Sequence, residues 1–144
     1  MSFVMNKKTV LIVEDDLVSQ NLLVSISKQI GFETTVCSNG AQGVYNYIKN
    51  PDCTAVLLDL MMPGVDGYDM LKIIDSLFLN EIIIGYPKII IETAVTDYRT
   101  LKELVNRKCV FSVRNKPISK TDIQHDMNQL AEKQLEFVNM TNKS

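Results

Sequence analysis

Four short polar groupings interrupt otherwise apolar stretches of this chain: Glu14-Asp15-Asp16, a lone Asp59, Thr93-Ala94 and Lys116-Pro117. If they share one crevice, the acids cannot all stand there as bare anions, because clustered carboxylates repel unless protonated or bridged by a cation. Oxygen ligands select a hard ion, and Mg2+ suits two carboxylates, one backbone carbonyl, waters and a phosphate oxygen. Lys116 would offset part of the negative charge as a compact ammonium on a flexible stem. Thr93 offers a hydroxyl that can donate to a phosphate oxygen, and the small Ala94 beside it leaves room for a phosphoryl group. Each residue also has a plainer reading: Asp59 as a turn cap before a Pro/Gly loop, Lys116 as a solvated lysine, Thr93 as a β-branched strand residue. The order of the elements carrying them decides between the two.

Those elements alternate five times. Thr9 to Val13 is a β-branched run, and Leu17 to Ile30 follows with Leu22, Leu23, Ile26 and Ile30 at helical spacing, closed by Gly31. Glu33 to Cys37 reads as a weaker strand. Asn39 to Lys49 reads as a helix with Val44, Tyr45 and Ile48 on one side and Pro51 beyond its end. Thr54 to Leu58 is apolar throughout, as a strand covered on both faces must be, and Asp66 to Leu79 restores helical spacing through Met70, Leu71, Ile74 and Leu77. Lys88 to Ile91 is a fourth strand, Asp97 caps a helix to Arg107, Cys109 to Val113 is a fifth strand, and Ser119 caps a last helix to about Val138. Strands separated by helices of this length predict right-handed crossovers: an α/β, doubly wound, five-stranded parallel sheet with helices on both faces. Such sheets place their chemistry beyond the carboxyl ends of the strands. All four polar groupings fall there.

The 144 residues suit one domain, and with 46% hydrophobic and 22% charged residues the composition is that of a globular chain. A net charge of -2 gives no reason to expect nucleic acid or anionic membrane as a partner, so output through protein contact is expected. No run reaches the roughly 18 apolar residues of a membrane helix, and no signal-peptide core stands at the amino terminus, so a cytoplasmic location is expected. Cys37, Cys53 and Cys109 lack CxxC spacing and sit in or beside apolar runs, which reads as buried free thiols.

The ordered set of Val10-Leu11-Ile12-Val13-Glu14-Asp15-Asp16, Asp59 with Met62-Pro63 and Gly67, Thr93-Ala94 and Lys116-Pro117 resembles the receiver domain of bacterial response regulators, of the CheY-like superfamily. The resemblance covers residues 8–138, with Met1 to Lys7 as an extension and 139–144 as a tail. It implies a flavodoxin-like strand order 2-1-3-4-5 with five helices. It also implies Mg2+ (or Mn2+) held by Asp15 directly, Glu14 through water, Asp59 and the Met61 backbone carbonyl. Asp59 would be the phosphoacceptor, Thr93 the switch hydroxyl and Lys116 the phosphate clamp, joined to Pro117 by a cis peptide bond. Asp16 falls outside the metal pair and reads as a flanking acid or helix cap. The implied partners are a sensor histidine kinase or histidine phosphotransfer protein and a downstream protein target or effector domain.

The chain departs from the family at three places. Val113 stands where an aromatic residue usually couples to the switch hydroxyl, and Phe111, two residues earlier, would point to the same face of a regular strand. Met61 and Val95 are apolar where polar side chains often orient the hydrolytic water, which implies slow loss of phosphate. Ile82-Ile83-Ile84-Gly85-Tyr86 is an apolar stretch where a polar connection is expected, serving either the core or an exposed partner patch. The far end of the last helix could pair two subunits into a homodimer, and His125 on it reads as solvated. Rival readings fare worse. A haloacid-dehalogenase-like phosphatase needs its nucleophile after the first strand. A flavodoxin-like flavin carrier needs a hydroxyl- and glycine-rich phosphate loop where this chain has three acids. A receiver-like interaction module that no longer cycles phosphate remains as the alternative that Val113 favours.

Overall fold

The aliphatic runs form five strands in the computed structural model, which describes residues 7–61 and 66–141: β1 (Thr9–Val13), β2 (Glu33–Cys37), β3 (Ala55–Asp59), β4 (Ile89–Thr93) and β5 (Val110–Asn115). They pair in parallel in the order β2-β1-β3-β4-β5. β3 and β4 are buried at every position, which their unbroken apolar sequence requires once helices cover both faces. The expected extension, apart from Lys7, the last residues of the expected tail (142–144) and the Met62-Pro63 pair lie outside the described residues.

Five helices supply the covers: α1 (Leu17–Gln29), α2 (Gly40–Lys49), α3 (Gly67–Leu79), α4 (Tyr98–Val105) and α5 (Lys120–Thr141). Asp16, Asn39, Asp66 and Asp97 each cap one of the first four, their side chains accepting from a backbone amide three residues on and so satisfying one orphan donor of the first turn. Gly31 follows α1 at φ +84°, a conformation that costs a glycine little. α5 runs to Thr141, three residues beyond the expected end at Val138. Among the described residues no helix is long and apolar enough to cross a membrane.

Two cores sandwich the sheet. One gathers Leu11, Val13, Leu58, Ile91 and the α3 residues Met70, Leu71 and Ile74; the other gathers Ile12, Leu57, Ile90 and residues of α1 and α5, among them Leu23, Ile123 and Met127. All three cysteines are buried free thiols.

α2 differs from its expected orientation. Tyr45 and Ile48 are exposed, and Tyr47 with Gly43 faces inward. Gly43 contributes to this: a Cβ there would meet Met70 Sδ at 2.7 Å and Val13 Cγ1 at 3.1 Å, so the glycine lets the helix approach α3 and β1 without displacing those two side chains. The buried side of α2 is thus set by Gly43 and Tyr47, with Val44 alone of the expected apolar line packing against the core. The Ile82–Tyr86 stretch divides between its two readings: Ile83 is buried and Tyr86 donates its hydroxyl to Thr54 O at 2.9 Å, whereas Ile82 and Ile84 are exposed.

Candidate functional site

Register places the acids. Val13 pairs with Leu58, so Glu14 follows next to Asp59, and Asp59 pairs directly with Glu92. Side chains alternate faces along a strand. Ile12, Leu57 and Ile90 pack under α1 and α5, so Glu14, Asp59 and Glu92, each two residues on, form a row on that same face at the carboxyl ends of three adjacent strands.

Carboxylate oxygens of Glu14, Asp15 and Asp59 lie within 4.8 Å of one another. Asp15 is exposed, whereas Glu14 and Asp59 are buried. Lys116 Nζ stands 3.4 Å from Asp59 Oδ1. The same Oδ1 accepts from the Met61 amide at 3.2 Å, and Glu14 Oε1 accepts from the Asp16 amide at 3.0 Å. Lys116 follows β5, and its own amide donates to Thr93 O at 2.8 Å, which ties the lysine's backbone to the end of β4. The Lys116-Pro117 peptide is cis, as expected. Thr93 is buried, and its hydroxyl accepts from the Val95 amide at 3.0 Å. Asp16, as the cap of α1, takes no place in the cluster.

Gly67 holds the acceptor loop close. A Cβ at this position would come 2.5 Å from both the Asp59 carbonyl oxygen and Leu60 Cα, and the Gly67 amide donates to Leu60 O at 3.1 Å. The amino-terminal turn of α3 therefore rests directly on the backbone that presents Asp59.

Burial raises the Glu14 carboxyl to about 7, against the Asp16 amide that pulls it down, with the neighbouring Asp59 charge adding to the rise. Glu92 is raised to about 7 by burial first, then by the charge of Glu14, with Lys116 opposing. Glu14 Oε2 is buried and has no hydrogen-bond partner. An orphaned carboxylate oxygen among three clustered carboxylates fits a small, hard, divalent cation, whose ligands are oxygens and whose charge relieves the repulsion.

The structure adds Glu92, which sequence reasoning left unassigned. It is an acid inside a doubly covered strand, two residues beyond Ile90, and both of its oxygens are buried without partners. It also corrects Phe111. The β4–β5 register slips between Ile89 and Ile90, pairing them with Val110 and Ser112, so Phe111 is the extra residue of a bulge. It packs with the α1/α5 core, while Val113 packs with the opposite core. Phe111 therefore does not share Val113's face and cannot replace the missing aromatic.

A family model for the response regulator receiver domain matches residues 10–128. Among curated proteins, the chain is 33% identical over 73 residues to a probable transcriptional regulatory protein of Picosynechococcus (46% of this chain, 29% of that protein). It is 32% identical over 68 residues to the DNA-binding response regulator MtrA of Mycobacterium tuberculosis (47% and 29%). The matched stretches span under a third of those relatives. Among solved structures, the receiver domain of a Francisella response regulator superposes with a TM-score of 0.73 at 22% identity, covering 88% of this chain and 98% of that one. CheY of Borrelia burgdorferi, crystallised with CheX, BeF3 and Mg2+, gives 0.73 at 23%, covering 85% and 88%. These likenesses show the fold.

Proposed function

Because the chain belongs to the response regulator receiver domain family, we propose that Asp59 accepts a phosphoryl group from a phosphohistidine of a sensor kinase or phosphotransfer protein, and that the resulting aspartyl phosphate switches a protein-contact surface. The observation that carries this reading is the meeting of Glu14, Asp15 and Asp59 within 4.8 Å, with Lys116 3.4 Å from Asp59.

In this mechanism an Asp59 oxygen attacks phosphorus in line as the nitrogen–phosphorus bond of the donor breaks. Glu14, Asp15, Asp59 and the Met61 carbonyl would hold Mg2+ (or Mn2+), which when bound supplies positive charge to the transferring oxygens. Lys116, beside Asp59, contributes the same kind of stabilisation and, in the product, pairs with a phosphate oxygen. Thr93 exchanges its bond from the Val95 amide for a role as donor to the phosphate, which draws in the segment after β4. Met61, exposed, and Val95, half-buried, offer the hydrolytic water no polar side chain, so the adduct is lost slowly. The domain is thus a phosphoacceptor rather than an enzyme acting on other molecules. Its partners are the cytoplasmic kinase or phosphotransfer protein and a downstream protein, rather than nucleic acid or membrane.

Incubation with acetyl phosphate or phosphoramidate and Mg2+, followed by intact mass measurement, tests this. A single phosphate adduct is expected for the unaltered chain and none for Asp59→Asn. Absence of the adduct in both supports the second reading, a phosphorylation-independent interaction module, which Val113 and the displaced Phe111 favour.

A further inference from the structure

Glu92 is the described acid most at odds with its surroundings. It is 2% exposed, both oxygens lack partners, and it pairs in register with Asp59 on one side and Arg114 on the other. Arg114 lies on the neighbouring strand, yet it is committed elsewhere: Nε and Nη2 donate to the two Asp126 oxygens at 2.8 and 2.7 Å, and Nη1 stands 3.7 Å from Asp122. Asp126 also accepts from Ser112 Oγ at 2.7 Å. The guanidinium that could neutralise Glu92 is therefore held by α5. Lys116, which lowers the Glu92 carboxyl's affinity for protons, stands against Asp59. Four carboxylates (Glu14, Asp15, Asp59, Glu92) thus share one ammonium. A buried carboxylate with no hydrogen bond and no dedicated counter-ion destabilises the fold it sits in.

We propose that Glu92 is a positioning residue of the cation site: its ionised carboxylate is a buried negative charge behind Asp59 that, without being a ligand, raises the affinity of the Glu14–Asp15–Asp59 cluster for a divalent cation. Its carboxylate lies outside the group of three whose oxygens approach within 4.8 Å, so it acts through the field rather than by coordination. The low-dielectric strands around it transmit that field with little screening. The same charge destabilises the cation-free fold, which makes cation binding and folding stability two readings of one residue. This inference rests on the cluster being a cation site, as proposed above.

Titration calorimetry with Mg2+ and with Mn2+ at about pH 8, together with thermal unfolding in chelator, tests it in the full chain. Glu92→Gln and Glu92→Val are expected to weaken cation binding about tenfold, and Glu92→Val, a good strand former, to raise the unfolding temperature of the cation-free protein. Glu132→Gln removes the same charge from the exposed side of α5 and is expected to leave affinity unchanged. If both Glu92 variants bind as tightly as the unaltered chain, Glu92 is only a strained structural acid and the assignment is overturned. If the unaltered chain binds no divalent cation, the cluster is not a cation site and the reading beneath this inference falls with it.

Discussion

The two ends of the sheet both bury charge and treat it in opposite ways. At the amino end, Lys88 is 4% exposed, yet its ammonium donates to Pro51 O at 2.6 Å and Cys53 O at 2.7 Å and stands 4.7 Å from the centre of the Tyr86 ring. Around it Thr54 Oγ1 donates to Gln134 Oε1 at 2.8 Å, and Tyr86 closes on Thr54 O. At the carboxyl end, Glu14 keeps one orphaned oxygen and Glu92 two. Unfavourable burial met by hydrogen bonds is architecture; unfavourable burial left unmet at a crevice is what an absent partner would relieve. The buried charge of Lys88 is therefore satisfied at the amino end, where among the described groups beside it only the neutral Tyr47 hydroxyl lacks a partner, and that of Glu14 and Glu92 is unsatisfied at the carboxyl end.

Breaking the amino end should cost the most stability. Lys88→Met removes the donor from the buried Cys53 carbonyl and the part-buried Pro51 carbonyl and is expected to lower unfolding stability by about 2–4 kcal/mol, read by urea denaturation, with cation affinity unchanged. A loss well under 1 kcal/mol would mean that the Lys88 hydrogen bonds do not hold this end together. Gly67→Ala touches the junction of fold and site. Its Cβ would collide with the Asp59 carbonyl and Leu60 Cα, backbone atoms that cannot rotate away, so a cost of about 1–3 kcal/mol is expected along with slower phosphate incorporation at Asp59. Incorporation at an unaltered rate would show that the acceptor tolerates a displaced α3.

The carboxyl end should reveal itself through pH. The Glu14 and Glu92 carboxyls sit near 7 in the fold against an ordinary value of 4.5, so between those limits the folded chain binds more protons than the unfolded one. Stability in chelator must then fall as pH rises through that window, by about 1 kcal/mol per pH unit for each carboxyl titrating. The contribution is fully present below 4.5 and lost above 7, and saturating Mg2+ should flatten the decline. A chelated protein with constant stability from pH 4.5 to 7 would remove the contrast between the ends. Smallest of all, Gln134→Ala is expected to cost about 1 kcal/mol by releasing Thr54 and Asp52, without altering phosphorylation.

What was legible in the sequence follows the range of the interaction concerned. Strand identity and helix starts are local: the runs ending at Val13, Leu58 and Ile91 form strands, the last two reaching on to Asp59 and Thr93, and Asp16 and Asp97 cap helices as read, while Asn39 and Asp66, read as first helical residues, cap theirs instead. Glu14, Asp15, Asp59 and Lys116 were found because each ends or follows a strand, and the strand order alone brings them together. Glu92 escaped because its meaning depends on pairing with Asp59, which no local pattern encodes. Phe111 was placed on the wrong face because a bulge shifts every side chain beyond it. The rotation of α2 escaped because Gly43 acts through Met70 and Val13, contacts supplied by other elements.

α5 outreaches the strands beneath it: 22 residues span roughly 33 Å, against roughly 17 Å for a five-residue strand. It is fastened in its middle third, to Arg114 and Ser112 through Asp126 and, eight residues on, to Thr54 and Asp52 through Gln134. These two anchors tie β5 to the turn that begins β3, so one helix couples an outer strand of the sheet to its central strand at the opposite end.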